Sequence, residues 1–112
     1  MKRIALAALV AVLAGCSTYG TSNIATYRAG ESAKQHTISA EVDDDDLTIY
    51  IDGDDVAEEE WKATGTNLRG EWKRHRVAAQ CSERTDDAKK KTGTCTVFLD
   101  GELAAELALQ LR

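Results

Sequence analysis

The eleven residues TIYIDGDDVAE, starting at Thr48, return forty-eight positions later as TVFLDGELAAE, starting at Thr96. A chain of 112 residues that writes one unit twice has few ways to fold. Two similar units must stack so that each buries the apolar face of the other. Ile49 aligns with Val97, Tyr50 with Phe98 and Ile51 with Leu99, and each run then meets an Asp-Gly pair, Asp52-Gly53 or Asp100-Gly101. Asp-Gly between strand-like runs marks a two-residue hairpin, because glycine accepts the positive φ of a type I′ turn. The match continues upstream. KQHTISAEV from Lys34 parallels KRHRVAAQC from Lys73, aligning His36 with His75, Ile38 with Val77, Ala40 with Ala79 and Val42 with Cys81.

Period-two alternation supports strands throughout. Leu47, Ile49 and Ile51 share one face, as do Cys95, Val97 and Leu99. Leucines at 103, 107, 109 and 111 are all odd, which favours a strand over residues 102–112 although Ala, Leu and Glu are good helix formers. Residues 54–61 carry the same ambiguity with poorer alternation. The stretch WKATGTNLRGEW, Trp61 to Trp72, reads as a strand, a turn around Asn67 to Gly70, and a return toward His75. The expected fold is all-β: a small antiparallel barrel or sandwich of six to seven strands, built from two duplicated three-strand meanders. The repeat units cover about 34–61 and 73–112 of a domain spanning 34–112. The copies differ in one connection, DDDD at 43–46 in the first and a longer loop, 82–94, in the second.

The N-terminal fifteen residues stand apart. Lys2 and Arg3 precede an apolar run from Ile4 to Ala14, too short to span a bilayer but suited to a secretory leader. The run ends in Leu13-Ala14-Gly15-Cys16, which resembles the lipobox of bacterial lipoproteins. That resemblance implies cleavage after residue 15, a lipidated Cys16 as the first mature residue, and a membrane partner reached through its acyl chains. Two or more chains hold a protein stably where one does not. Ser17, with no aspartate after the cysteine, resembles the signal for sorting to the outer membrane, with the domain facing the periplasm. Residues 16–33, rich in Ser, Thr, Gly and Ala, then read as a lipidated tether. With Cys16 committed to lipid, Cys81 and Cys95 are left to form a disulfide in an oxidising compartment. Their inward positions at facing strand ends agree, and the matching pair in the first copy is Val42 and Leu47.

Charge narrows the functions. Losing Lys2 and Arg3 takes the formal charge from −5 to −7, which argues against a nucleic-acid partner. Ten carboxylates gather at Asp43–Asp46, Asp52, Asp54, Asp55 and Glu58–Glu60, whereas residues 62–91 carry a net positive charge. The acidic run lacks the spacing of a calcium-binding EF-hand loop. His36 and His75 alone make a weak metal site. No nucleophile elbow or carboxylate pair in an apolar setting stands out. The chain is expected to be non-catalytic, without cofactor or dedicated metal. Tyr50 and Phe98, pointing away from the core, together with Trp61 and Trp72, are the candidate binding surface. The leading expectation is a lipid-anchored envelope protein with a structural or binding role and an envelope protein as partner. In size, anchor and acidity the chain also resembles small barrel lipoproteins that inhibit lysozyme, which implies a cationic cell-wall hydrolase as partner. It departs from their Ser-Gly-Tyr-Gly type of loop, offering only TGTNLRG. A divalent-cation sensor built on the acidic turns is the third expectation.

Overall fold

A computed structural model describes residues 17–28 and 34–112. The leader, Cys16 and residues 29–33 of the tether lie outside the described residues. Among the described residues, nine strands form one antiparallel sheet: β1 (Gly20–Ser22), β2 (Ala25–Arg28), β3 (Gln35–Asp43), β4 (Asp46–Ile51), β5 (Asp54–Glu60), β6 (Thr66–Trp72), β7 (His75–Thr85), β8 (Lys91–Leu99) and β9 (Glu102–Leu111). Their order is β5-β4-β3-β1-β9-β8-β7-β6, with β2 pairing separately to β3. The sheet curls until β5 and β6, at its two ends, lie side by side, making a nearly closed barrel.

The duplication is visible in every register. Ile38, Ala40 and Val42 pair with Ile51, Ile49 and Leu47. Val77, Ala79 and Cys81 pair with Leu99, Val97 and Cys95 in the same way. These residues are buried, and they form most of the core. Each fully buried Ile or Leu there contributes roughly 1.5–3 kcal/mol. The copies even share a β-bulge. Ladder shifts between Ile49 and Tyr50, and between Val97 and Phe98, leave Val56 and Ala104 as the extra residues in β5 and β9. A bulge at one point in each copy bends the strand there and helps the sheet curl.

Three sequence expectations need correction. The described residues form nine strands, not six to seven. The two additional strands come from residues 20–28, where low-apolar Ser/Thr/Gly/Ala sequence gives no alternation of its own but pairs with β3 and β9. The turn expected around Asn67 to Gly70 lies instead at residues 62–65, so Gly70 stands within β6. A Cβ on Gly70 would fall 1.8 Å from the Val56 carbonyl oxygen, so this glycine permits close approach of β5, not a turn. Finally, the long connection 82–94 is mostly strand: pairing continues from Ser82–Thr94 to Thr85–Lys91. Apart from buried Gly93 its residues are exposed or half-buried, which hid their period.

Among the described residues, four hairpins place two successive residues at positive φ. Asp52-Gly53 and Asp100-Gly101 are the expected pair, with φ of 53° and 85°, and of 50° and 84°. The others, Asp44-Asp45 (52°, 69°) and Lys73-Arg74 (46°, 70°), have no glycine. A left-handed conformation costs an L-residue about 1–2 kcal/mol. Arg74 makes no side-chain hydrogen bond or ion pair among the described residues. Arg74→Gly is therefore expected to stabilise the domain by about 0.5–1 kcal/mol, read as a higher urea midpoint with an unchanged slope.

Candidate functional site

The two tryptophans close opposite ends of the barrel. Trp61 is buried where β5 ends and packs over Gly93, whose missing side chain makes room for the ring. Its backbone N–H donates to Asp45 O (2.7 Å) and its Nε1–H to Glu83 Oε1 (3.2 Å). Trp72 is buried at the other end, where the two Asp-Gly turns lie. Tyr50 and Phe98 are half-buried on the outer face, on β4 and β8. The structure thus does not gather Tyr50, Phe98, Trp61 and Trp72 into one surface. The inward tryptophans follow from a barrel whose ends must be filled.

Around Trp72 the repeat reproduces a hydrogen-bond pattern. The Asp52 carboxylate lies 2.7 Å from His36 Nδ1 and accepts from the Thr37 N–H at 3.0 Å. Asp100 lies 2.6 Å from His75 Nδ1 and accepts from the Arg76 N–H at 2.8 Å. His36 meets Trp72 edge-on at 4.7 Å between centroids, His75 stacks at 5.8 Å, and Lys73 Nζ lies 5.4 Å from the Trp72 ring. The histidines therefore serve Trp72 and the two turns. Among the described residues, no group of three or more His, Cys, Asp or Glu is arranged to hold a metal ion. Trp72 Nε1 is the buried side-chain polar atom left without a hydrogen-bond partner there.

The Thr37 N–H, then His36, hold the Asp52 carboxyl below the usual aspartate range. For Asp100 the leading cause is His75, followed by the Arg76 N–H. A carboxyl with a depressed folded pKa stabilises the fold above its unfolded pKa, and this contribution fades as pH falls through the folded value. Stability should therefore drop below about pH 4. Asp52→Asn/Asp100→Asn should be less stable at pH 7 and show a shallower acid decline. Parallel stability curves from pH 7 to pH 2 would count against this pairing.

The charged faces remain separate. On β3, β4 and β5, Asp43, Asp46 and Glu60 occupy one rung with like charges opposed. Among the described residues other than Arg28, no Lys or Arg nitrogen lies within 4.0 Å of a carboxylate oxygen, the two ion pairs both being His–Asp. Burial pushes the Tyr50 phenol up, and the negative charge of Glu41 adds to this.

The outer face of β6, β7, β8, β9 and β1 is of another kind. A groove of about 770 Å³ crosses β8, β9 and β1, with Thr21, Asn23, Thr94, Thr96 and Gln110 among its walls and Glu106 as its one charged lining residue. A second groove of about 480 Å³ shares Thr94 and Thr96 and continues over Asn67, Gln80 and Ser82 with no charged residue. The registers explain this continuity: Asn67, Gln80, Thr96 and Glu106 form one rung, and Ser82, Thr94 and Ala108 the next. In a chain with 29% charged residues, this is a neutral belt of hydroxyl and amide groups. Sequence reading missed it because it joins alternate residues of five strands. Comparisons with protein-family models, curated proteins and solved structures find no match to this chain.

Proposed function

We propose that the chain is a lipid-anchored envelope protein of the bacterial outer membrane, facing the periplasm and acting by binding, not by catalysis. The Leu13-Ala14-Gly15-Cys16 leader supports the anchor. The neutral belt is the observation that carries the binding role. Threonine, serine, asparagine and glutamine each both donate and accept, matching an uncharged polyhydroxyl ligand such as a glycan strand. A charged ligand would meet almost no counter-charge there. Amide chemical-shift mapping of residues 17–112 with soluble cell-wall glycan tests this reading. Shifts should centre on Thr94, Thr96, Glu106 and Gln110, and Thr96→Trp should abolish them. Shifts elsewhere, or none, would oppose a glycan-binding belt.

A second reading rests on the opposed carboxylates of Asp43, Asp46 and Glu60. A face left without cation partners can steer a cationic cell-wall hydrolase toward it. That reading requires inhibition of lysozyme by residues 17–112 that weakens steeply between 50 and 300 mM salt. The echo TGTNLRG does not aid it, since residues 67–70 lie within β6.

A further inference from the structure

The two copies carry different chemistry on the outer face, one step along the strands from the neutral belt. In the first copy Tyr50 pairs with Ser39 and Asp55, and its hydroxyl donates to Glu41 Oε1 at 3.4 Å. In the second copy the matching residue is Phe98, paired with Ala78 and Leu103. Ala78 and Phe98 are half-buried, and Leu103 is 56% exposed. A polar rung in one copy is thus an apolar strip in the other. The fold does not require the strip, because Ser39, Tyr50 and Asp55 serve in the same place.

The strip adjoins the belt. Strand β8 presents Thr94, Thr96 and Phe98 in succession on its outer face, about 6.6 Å apart. The rung of Gln80, Thr96 and Glu106 therefore lies beside the rung of Ala78, Phe98 and Leu103. Exposed Arg69, paired with Ala78, bounds the strip on β6. An apolar floor with an amide, a hydroxyl and a carboxylate along one margin matches a ligand that is apolar on its face and hydroxylic on its rim.

We infer that the Ala78–Phe98–Leu103 strip and the Gln80–Thr96–Glu106 rung form one subsite for a pyranose ring with all its substituents equatorial, so that the ligand is a β-linked, gluco-configured glycan. This deepens the proposed function and rests on the belt being a glycan site. Such a ring carries only axial C–H bonds on each face, and its hydroxyl groups radiate from the edge. With the ring face on Phe98 and Leu103, the edge reaches the belt. Gln80 and Thr96 both donate and accept, and ionised Glu106 accepts. The one carboxylate of the groove is thus suited to an uncharged ligand, because a sugar hydroxyl donates to it in a charge-assisted bond. An α-linkage or an axial hydroxyl would press an oxygen against the strip, where it finds no partner.

Phe98 is the single phenylalanine of the chain, so labelling with 4-fluorophenylalanine gives one fluorine signal from the strip. It is read beside the belt amides, on the full chain in a zwitterionic detergent. The probes are the β-(1→4)-linked tetramers of N-acetylglucosamine and glucose, and maltotetraose as the α-linked counterpart. The β-linked tetramers should move the fluorine signal together with the amides of Thr96 and Glu106, and maltotetraose should bind about ten-fold more weakly. Ala78→Ser/Leu103→Asp copies the outer face of the first copy, so the barrel accepts it; an unchanged urea midpoint checks this. It should weaken the β-linked tetramers about ten-fold and remove their preference over maltotetraose. Belt shifts that are equal for α- and β-linked tetramers, with a still fluorine signal, would overturn this subsite and leave the belt standing. A fluorine shift with silent belt amides would overturn the joint site. No shift with any of the three sugars would overturn the belt and the subsite together.

Discussion

Gly70→Ala should cost at least about 3 kcal/mol, more than any other single-methyl addition in the barrel. The reason lies in how the barrel closes. Strands β5 and β6 adjoin without a shared ladder, so their spacing depends on what stands between them. At Gly70 a Cβ would meet backbone: 1.8 Å from Val56 O, 2.8 Å from its carbonyl carbon and 3.1 Å from the Ala57 Cβ. A flexible side chain could move aside, but a carbonyl held in a strand moves only with the strand. Val56 is also the bulge residue of β5, so displacing it disturbs the bend that brings the sheet ends together. Gly53→Ala is the control. Gly53 has φ of +85° but nothing within 4 Å of an added Cβ, so its cost is the conformational one, about 1 kcal/mol. Urea unfolding of residues 17–112 should show the larger loss for Gly70. Equal losses would place barrel closure elsewhere.

Replacing both bridged cysteines by alanine should cost about 3–5 kcal/mol, and the repeat supplies its own reference for dissecting that loss. Cys81 and Cys95 are bonded, with Cα atoms 4.1 Å apart on directly paired positions. The bridge closes the 82–94 segment, and a loop near 15 residues is worth about 3 kcal/mol in chain entropy. Both positions are also buried, so alanine loses packing as well. The first copy fills the same rung with Val42 and Leu47, both fully buried. Cys81→Val/Cys95→Leu should therefore recover about 1–2 kcal/mol of the alanine loss and leave the entropic part missing. Denaturant midpoints of the three proteins, each with matched slopes, measure this directly. No gain of the Val/Leu pair over the Ala pair would mean that the two rungs are not equivalent in packing.

The contrast between the copies also shows what a sequence reveals. Blocks facing the core were legible, because burial forces the same inward residues twice: Ile38 and Val77, Ile49 and Val97, Ile51 and Leu99. Strand β9 was legible for the same reason, its odd leucines outweighing helix propensity. The His–Asp pairs were half legible. His36 with His75 and Asp52 with Asp100 recur together in the repeat, but their contact joins one strand to the turn that follows its partner strand. What failed was whatever depends on a partner strand. Residues 20–28 become strands because β3 and β9 offer edges. Gly70 is required by a carbonyl fourteen positions away in the chain. The turns at Asp44-Asp45 and Lys73-Arg74 carry no glycine, so closure imposes a conformation that the local sequence does not announce. The neutral belt exists only once five strands are in register.

The proposed role turns on one covalent fact, which mass spectrometry of the protein purified from bacterial membranes can establish. Trypsin releases an N-terminal peptide ending at Arg28. The account predicts that this peptide begins at Cys16 and carries a diacylglyceryl group on sulfur and an acyl chain on its amine. A peptide that still contains the leader residues, or one that begins elsewhere with the Cys16 thiol free, would contradict it.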